Sequence, residues 1–432
     1  MLASLGLSDV VELFDQVPEG TRLSGTLRLP GPLSEMELVA HMRDIAAGNV
    51  GASFSVCLAG GGVYDHYSPA VVDYIIQRGE FLTAYTSYQP EISQGFLTAM
   101  YEFQTFVCEL YGLDVANASL YDAGTGLAEA VLLAYDATGR DRIVLAGAVN
   151  PAYIACLETI LGPELARNIT SVPHGDGTTD LAELTRAVDD SIACVVVQQP
   201  SFLGTIEDVR ATVGIAKAAG AKTVVCADPI AMGLLESPGA CGAEIAVGEG
   251  QALGLPMSYG GPLLGLLATT HDLVRTLPGR VVGKTTDANG KPGYVLTLQT
   301  REQHIRRGKA RSNICTNQGL CALAATVYMC AMGASGLRRA AALCVERSHR
   351  LRDLIAATPL EPIYGAPFFQ EFAVRSPIPV PELQMRLADK GFVVGGDISA
   401  CTGVEHSLLL CATEKRTDIE LGAFAAAVKE VL

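Results

Sequence analysis

The chain has 432 residues, of which 49% are hydrophobic and 18% are charged. This length allows a large domain with a substantial core plus a smaller one, and the high apolar content excludes extensive disorder and favours a large subunit interface. The formal net charge of −15 excludes a nucleic-acid backbone as partner, because phosphate binding needs a basic surface.

The cysteines and the N-terminus both bear on the cellular compartment, and together they predict a reducing one. None of the twelve cysteines forms a CxxC pair, and most lie in apolar runs, which predicts buried thiols rather than zinc ligands or disulfides. Residues 1–5 lack a basic start, so we expect no signal peptide and a cytoplasmic location.

The first predicted elements are two helices. Ser34 and Glu37 form a capping box that opens a helix through Ala47. Ser93 opens a longer helix, which Gly112 ends, with apolar side chains at three- and four-residue spacing. The second helix is therefore predicted to bury one face.

Between these helices lie two segments rich in polar aromatic side chains. They are 64–67, with His66 and Tyr67, and 85–91, with Tyr85, Tyr88 and Gln89. Tyrosine can orient a substrate carboxylate and histidine can transfer protons, so both segments are candidates for an active-site wall. Both residue types are also frequent where two subunits meet, and the two interpretations are compatible.

From Asp122 onward, predicted helices and strands alternate. Strands are expected at 143–146, 192–197, 223–227 and 243–248. Helices are expected to begin within 122–128, at Pro151 and after Asp180, and to cover 206–219. Such alternation predicts a parallel sheet with helices on both faces.

The first of these helices opens with small residues, over 121–130. Glycines let backbone N–H groups approach an anion, and a helix N-terminus attracts negative charge, so one interpretation is a phosphate cradle. The other is a tight turn with close helix–sheet packing, which a short Gly-x-Gly pattern alone favours.

Asp228 ends a buried strand, and a glycine-rich loop over 248–262 follows the next strand. In enzymes that carry pyridoxal phosphate, an aspartate pairs with the pyridinium nitrogen and a lysine holds the aldehyde. This chain has no lysine between Lys222 and Lys284. The fold is therefore predicted to be built around a cofactor that the chain cannot hold covalently. Before Pro229, Asp228 also fits an ordinary turn.

A basic run at 306–311 precedes Ser312-Asn313-Ile314-Cys315-Thr316-Asn317-Gln318. Hydroxyl and amide side chains at a helix start, behind basic residues, can close over a phosphate. A solvated basic stretch followed by an ordinary N-cap explains the pattern equally well.

Residues 312–337 carry no charge. Their apolar part is shorter than the roughly 20 residues that a membrane span needs, so we predict a buried helix. A linking helix over 337–354 and short strands and helices follow. The predicted organisation is an N-terminal arm with helices (1–60), a large domain (61–335) and a small α+β domain (336–432).

Several long segments resemble the P protein family of the glycine cleavage system, in particular the α subunit of its two-chain form. They are 64–67, 83–95, 102–105, 115–122, 247–251, 293–304 and 312–318. The resemblance implies an aminotransferase-like α/β fold, pyridoxal-phosphate fold type I, whose large domain has a mostly parallel sheet and is followed by the small C-terminal α+β domain.

The resemblance also implies an enzyme, a glycine dehydrogenase (aminomethyl-transferring, decarboxylating). A β subunit would bind pyridoxal phosphate covalently, and this chain would not. In an α2β2 assembly, glycine would lose its carboxylate, and its aminomethyl group would pass to the lipoyl arm of H protein. No metal, membrane or nucleic acid is expected.

The resemblance and the polar chemistry together assign residues of this chain to a shared site. Those expected to reach the cofactor or substrate on the partner chain are Ser312, Asn313, Thr316 and Asn317. Those expected to wall the pocket, none of them with a Schiff-base role, are His66, Tyr67, Tyr85, Tyr88 and Gln89. Positions that depart from the family pattern are Ser87, Asn150, Ser201, Gly308 and Arg311.

Two alternatives remain open. A catalytically silent scaffold would stabilise the β chain and dock H protein. An independent pyridoxal enzyme would need Lys284 or another lysine, and a position in the Gly- and Asn-rich segment around Lys284, expected to be an exposed loop, argues against it.

Overall fold

A computed structural model describes residues 1–23, 25–49 and 55–432. The chain divides into two compact units, 1–51 and 52–432. In its described residues, the first contains three 3-10 turns and helix α1 (Glu35–Ala47). The predicted capping box is confirmed, because Ser34 Oγ accepts from the Glu37 N–H (3.4 Å) and the Glu37 carboxylate accepts from the Ser34 N–H (2.8 Å).

The second unit is an α/β structure. Its strands are β1 (Val56–Leu58), β2 (Val115–Ala116), β3 (Arg142–Ala146), β4 (Ile169–Val172), β5 (Ile192–Gln199), β6 (Lys222–Ala227), β7 (Ile245–Glu249), β8 (Gly265–Thr269), β9 (Val281–Thr286), β10 (Pro292–Thr297), β11 (Glu361–Pro362), β12 (Glu371–Arg375), β13 (Phe392–Val394) and β14 (Ser407–Cys411). Its helices are α2 (Ala70–Ile76), α3 (Gly79–Leu82), α4 (Gln94–Tyr111), α5 (Ala123–Thr138), α6 (Pro151–Ala166), α7 (Leu181–Ala187), α8 (Val209–Ala218), α9 (Pro238–Cys241), α10 (Gln303–Arg306), α11 (Gly319–Ile355), α12 (Val380–Ala388), α13 (Ser399–Thr402) and α14 (Asp418–Val431).

The central sheet has the strand order β2-β8-β7-β6-β5-β3-β4. Strands β4, β3, β5, β6 and β7 pair in parallel, and β8 is antiparallel to β7. Along β5, Cys194 and Val196 pack into one hydrophobic cluster, while Val195 and Val197 pack into another. The inner strands β3, β5, β6 and β7 are mostly buried and apolar, as expected where helices cover both faces, so the predicted parallel sheet is confirmed.

Most predicted helix starts are confirmed, with two differences. Pro151 is the first residue of α6, and the Asp180 carboxylate accepts from backbone N–H groups at the start of α7. Ser93 precedes α4 but makes no side-chain cap. Helix α8 begins later than predicted because Asp208 caps it, accepting from the Ala211 N–H at 2.9 Å.

The C-terminal residues form their own antiparallel sheet, β11-β12-β14, and β13 pairs with β1. A separate hydrophobic cluster joins these strands to α12 and α14. This cluster supports a small α+β domain, and its boundary at 335/336 remains our proposal.

Helix α11 contains a break at Gly333 (φ 59°, ψ 179°), so the predicted buried and linking helices meet there. Within the described residues, α11 is the one helix long and apolar enough to cross a membrane. Its first half packs against α2 and α4 in the core, with Ala322, Ala324 and Tyr328 fully buried. This packing is that of a core helix.

Candidate active site

The carboxyl ends of β5, β6 and β7 lie side by side at one edge of the sheet, where open α/β sheets usually bind their ligands. A small cavity of about 40 Å³ lies at this edge. We call it the strand-end cavity. The titratable and amide side chains that line it include Tyr64, Asp228, Glu249, Gln251 and Glu371.

Groups of this chain already satisfy Asp228. Its Oδ1 accepts from the N–H groups of Ile230 (2.8 Å) and Ala231 (3.0 Å), and its Oδ2 accepts from Gln370 Nε2 (3.1 Å). Burial raises the pKa of Asp228, although His66 opposes this shift. The contacts of Asp228 are therefore those of an aspartate in a turn, one of its two predicted roles.

Gln251 faces the strand-end cavity just after β7, the strand next to β6. Its Oε1 accepts from the Tyr64 N–H (3.0 Å), and its Nε2 donates to the carbonyls of Tyr64 (3.2 Å) and Leu255 (2.7 Å). Gln251 is 1% exposed. A neutral amide that ties three backbone groups together thus lines the same cavity as Asp228, and an amide nitrogen does not form a Schiff base with an aldehyde.

Glu371 closes the same cavity from the C-terminal sheet. Its Oε1 accepts from the Tyr64 hydroxyl (2.5 Å), and its Oε2 accepts from the Gly61 N–H (2.9 Å). Burial raises the pKa of Glu371 to about 7, against the opposing effect of these two hydrogen bonds. The carboxyl group is therefore protonated over much of the acidic range.

Pyridoxal phosphate does not fit the strand-end cavity. The cavity's volume of about 40 Å³ is far below the roughly 150 Å³ of a cavity that binds a benzene ring, so a pyridine ring with a phosphate does not fit. No lysine is among its lining residues. Lys284 is exposed in strand β9, where it pairs with Tyr294. Its predicted loop location was wrong, because the buried start of β9 extends through it and the turn is limited to 287–290.

Glu371 also predicts a pH dependence of stability. Its folded-state pKa of about 7 lies above the ordinary 4.5, so its contribution is full below pH 4.5 and is lost as the pH rises toward 7. We expect the free energy of unfolding to fall over this range, and to fall less in Glu371→Gln. Urea unfolding at about pH 5 and about pH 8 measures this. Equal falls in both proteins would contradict it.

A second and larger cavity, of about 180 Å³, lies between residues 81–87, α4 and the start of α11. We call it the motif cavity. Among the predicted site residues, Tyr85, Thr316 and Asn317 line it, together with Ser87 and Arg280. Tyr88 lies beside it, since its hydroxyl accepts from Arg280 Nη2 at 3.1 Å. The structure therefore brings four of the predicted residues together.

The loop at 117–121 holds the residues before α11 in place. Asn317 Nδ2 donates to the Ala118 carbonyl (2.7 Å), and the Gln318 N–H donates to Ser119 Oγ (3.1 Å). The Cys315 N–H donates to the Tyr121 hydroxyl (3.2 Å). The Asn317 side-chain amide is therefore used in a hydrogen bond within the fold, whereas Thr316 is exposed.

The remaining predicted residues lie outside the lining of the motif cavity. Ser312 is half-buried, and its hydroxyl accepts from the Ile314 N–H (3.1 Å). Burial raises the pKa of Glu129 to about 7, and the Ser312 side chain opposes this shift. Asn313 and Gln89 are exposed. His66 pairs through Nδ1 with Glu414 (2.7 Å), and the backbone N–H of the residue after it, Tyr67, donates to the same carboxylate (2.7 Å). These two residues thus contact the segment after β14.

The small-residue start of α5 is not an anion site. The Asp122 carboxylate accepts from the Thr125 N–H (2.7 Å), and the Glu249 carboxylate accepts from the Ala123 N–H (3.1 Å). Two carboxylates at the helix N-terminus exclude a phosphate. Gly126 lies against Val247 of β7, so the turn with close helix–sheet packing is correct.

Arg280 is the residue that sequence reasoning missed. It is 4% exposed and lies beneath the Tyr88 ring, with Cζ 4.9 Å from the ring centroid. The sequence feature that could have identified Arg280 is its position directly before the apolar pair Val281-Val282, both of which are buried.

Comparisons with known proteins agree with one another. The profile of a family described as Glycine cleavage system P-protein matches residues 1–426. A probable glycine dehydrogenase (decarboxylating) subunit 1 of Moorella thermoacetica is 46% identical, and the match covers 100% of this chain and 97% of that protein. A solved glycine decarboxylase (P-protein) of the glycine cleavage system, in inhibitor-bound form, is 44% identical with a TM-score of 0.92, covering 100% and 97% of the two chains.

A more distant likeness confirms the fold. An aspartate aminotransferase from Thermus thermophilus superposes with a TM-score of 0.61 at 15% identity, covering 87% of this chain and 99% of that one. The predicted aminotransferase-like α/β fold of the pyridoxal-phosphate fold type I class is confirmed.

Proposed function

The chain belongs to the glycine cleavage system P-protein family, and we propose that it is the lysine-free α subunit of a two-chain glycine dehydrogenase (decarboxylating). A β subunit binds pyridoxal phosphate covalently, and the cofactor supplies an electron sink for the loss of the glycine carboxylate. The aminomethyl group passes to the lipoyl arm of H protein. The assembly is α2β2 and cytoplasmic, without a membrane or nucleic-acid partner.

The strand-end cavity is the observation that carries this proposal. Asp228 lies at the strand end where a pyridoxal site would have its aspartate, but Gln251 and Glu371 line the cavity and no lysine does. A chain of this family that cannot hold the cofactor in its own sheet needs the cofactor of another chain.

The motif cavity supports a contribution of this chain to the shared site. Tyr85 and Thr316 are exposed at it and offer hydroxyl groups to a phosphate or carboxylate of the partner's site. Tyr88, Gln89, Ser312 and Asn313 belong to the same two segments and complete this wall in the proposed assembly. Asn317 positions the loop, and His66 and Tyr67 approach from the segment before α2.

The proposal is tested by mixing the purified chain with a glycine dehydrogenase β subunit, lipoylated H protein and pyridoxal phosphate. We expect glycine decarboxylation only in the mixture, and borohydride reduction to trap the cofactor on a lysine of the β chain. A cofactor trapped on this chain, together with activity in the absence of the β chain, would show an independent enzyme and reject the proposal.

A further inference from the structure

Arg280 is a buried cation with neutral partners. Its Nη2 donates to the Tyr88 hydroxyl and to the Cys315 carbonyl. Its Nε and Nη1 are buried and have no hydrogen-bond partner among the residues that the structure describes. These two nitrogens carry three N–H donors. Burying a charge without a counter-charge costs free energy. We therefore expect the Arg280 guanidinium to bind an anion from outside the chain.

Ser87 is a second buried donor at the same place. It is 6% exposed, and its hydroxyl has no partner within the described part of the chain. Both Ser87 and Arg280 line the motif cavity, although they are far apart in the sequence. Two residues with unsatisfied buried donors, one charged and one neutral, therefore line one cavity.

The volume and cover of the motif cavity suit a small anionic group. Its volume of about 180 Å³ exceeds the requirement of a single water molecule several-fold. Tyr88, which covers the guanidinium, is 50% exposed, so its ring can turn aside without disturbing a packed core. Guanidinium groups match the oxygens of carboxylates and phosphates.

We infer that the motif cavity is an oxyanion-binding site in which Arg280 supplies the positive charge and Ser87 a neutral donor. The anion is a carboxylate or a phosphate monoester, which share this chemistry. The inference rests on the proposed function only for the source of the anion, which is either the glycine carboxylate or the phosphate of the cofactor held by the partner subunit.

The first experiment uses the full chain alone. We expect inorganic phosphate or acetate, at constant ionic strength, to raise its thermal unfolding midpoint, because a ligand that binds the folded state stabilises it. The rise should vanish in Arg280→Gln and shrink in Ser87→Ala. The matched control is Arg140→Gln, which removes a guanidinium that donates to the Ile192 and Ala219 carbonyls elsewhere in the fold and should keep the full rise. No rise in the unmutated chain, or an equal rise in Arg280→Gln, would overturn the inference.

The second experiment identifies the source in the complex with the β subunit. An increase of about tenfold or more in KM for glycine in Arg280→Gln, with unchanged cofactor affinity, assigns the site to the substrate carboxylate. A similar increase in Kd for pyridoxal phosphate assigns it to the cofactor phosphate. Arg280→Lys should recover part of either loss, and no change in either constant would overturn the inference. If the unmutated mixture shows no decarboxylation, the proposed function fails, whereas the measurement on the chain alone still decides the site.

Discussion

Replacing Asp65 by alanine is expected to destabilise the chain by about 3–5 kcal/mol, the range found when one partner of a buried ion pair is removed. The Asp65 carboxylate accepts from Lys415 Nζ (2.5 Å) and Arg416 Nη2 (2.8 Å). The Asp65 and Arg416 side chains are only 11% and 6% exposed. Removing the carboxylate leaves the Arg416 guanidinium buried without its counter-charge.

Urea unfolding monitored by circular dichroism measures this loss as a lower midpoint at unchanged slope. The matched control is Lys390→Ala, which breaks an exposed pair with Glu430 and should cost less than about 0.5 kcal/mol. A loss for Asp65→Ala as small as the control's would show that the buried pair contributes little to stability.

Thr316→Val in the assembled two-chain complex is expected to lower the rate of glycine decarboxylation about tenfold or more, which corresponds to about 1.4 kcal/mol of transition-state stabilisation. Thr316 is exposed at the motif cavity, so its hydroxyl is free to contact a ligand there. Valine keeps the shape of the side chain and removes only the hydroxyl. Asn313→Ala removes the neighbouring exposed amide and should act in the same direction.

The measurement is the steady-state release of CO2, with assembly checked by size-exclusion chromatography. Thr185→Val on α7 removes an exposed hydroxyl that donates to the Leu181 carbonyl, and should leave the rate unchanged. An intact complex with an unchanged rate for both Thr316→Val and Asn313→Ala would favour the silent scaffold over a shared site.

The sequence predicts the central sheet well because its strands are buried on both faces. Apolar runs at 192–197 and 223–227 need no information from elsewhere in the chain to be recognised. The sequence did not predict hairpin β9–β10, and Lys284 was therefore assigned to a loop. Half-exposed strands that contain glycine and charged residues lack a regular alternation of apolar and polar side chains.

The chemistry of the site was predicted less completely, because it depends on contacts between distant residues. Gln370, which satisfies Asp228, is separated from it by 142 positions, and Glu371 is 307 positions from Tyr64. Ser87 and Arg280 meet only after folding. The motif at 312–318 was recognisable by its composition, but which of its side chains remain available was decided by the loop at 117–121.

The small volume of the strand-end cavity has an evolutionary consequence. Introducing a lysine by Gln251→Lys would break three hydrogen bonds to the backbone and would still leave the hydrogen-bonded pair Glu371 and Tyr64 in the lining of a small cavity. A pocket large enough for the cofactor could form only through several substitutions together. Each of them would be destabilising if it came first. Under the proposed function, dependence on a second gene product would therefore be hard to reverse for this chain, and we expect the two genes to be kept or lost together.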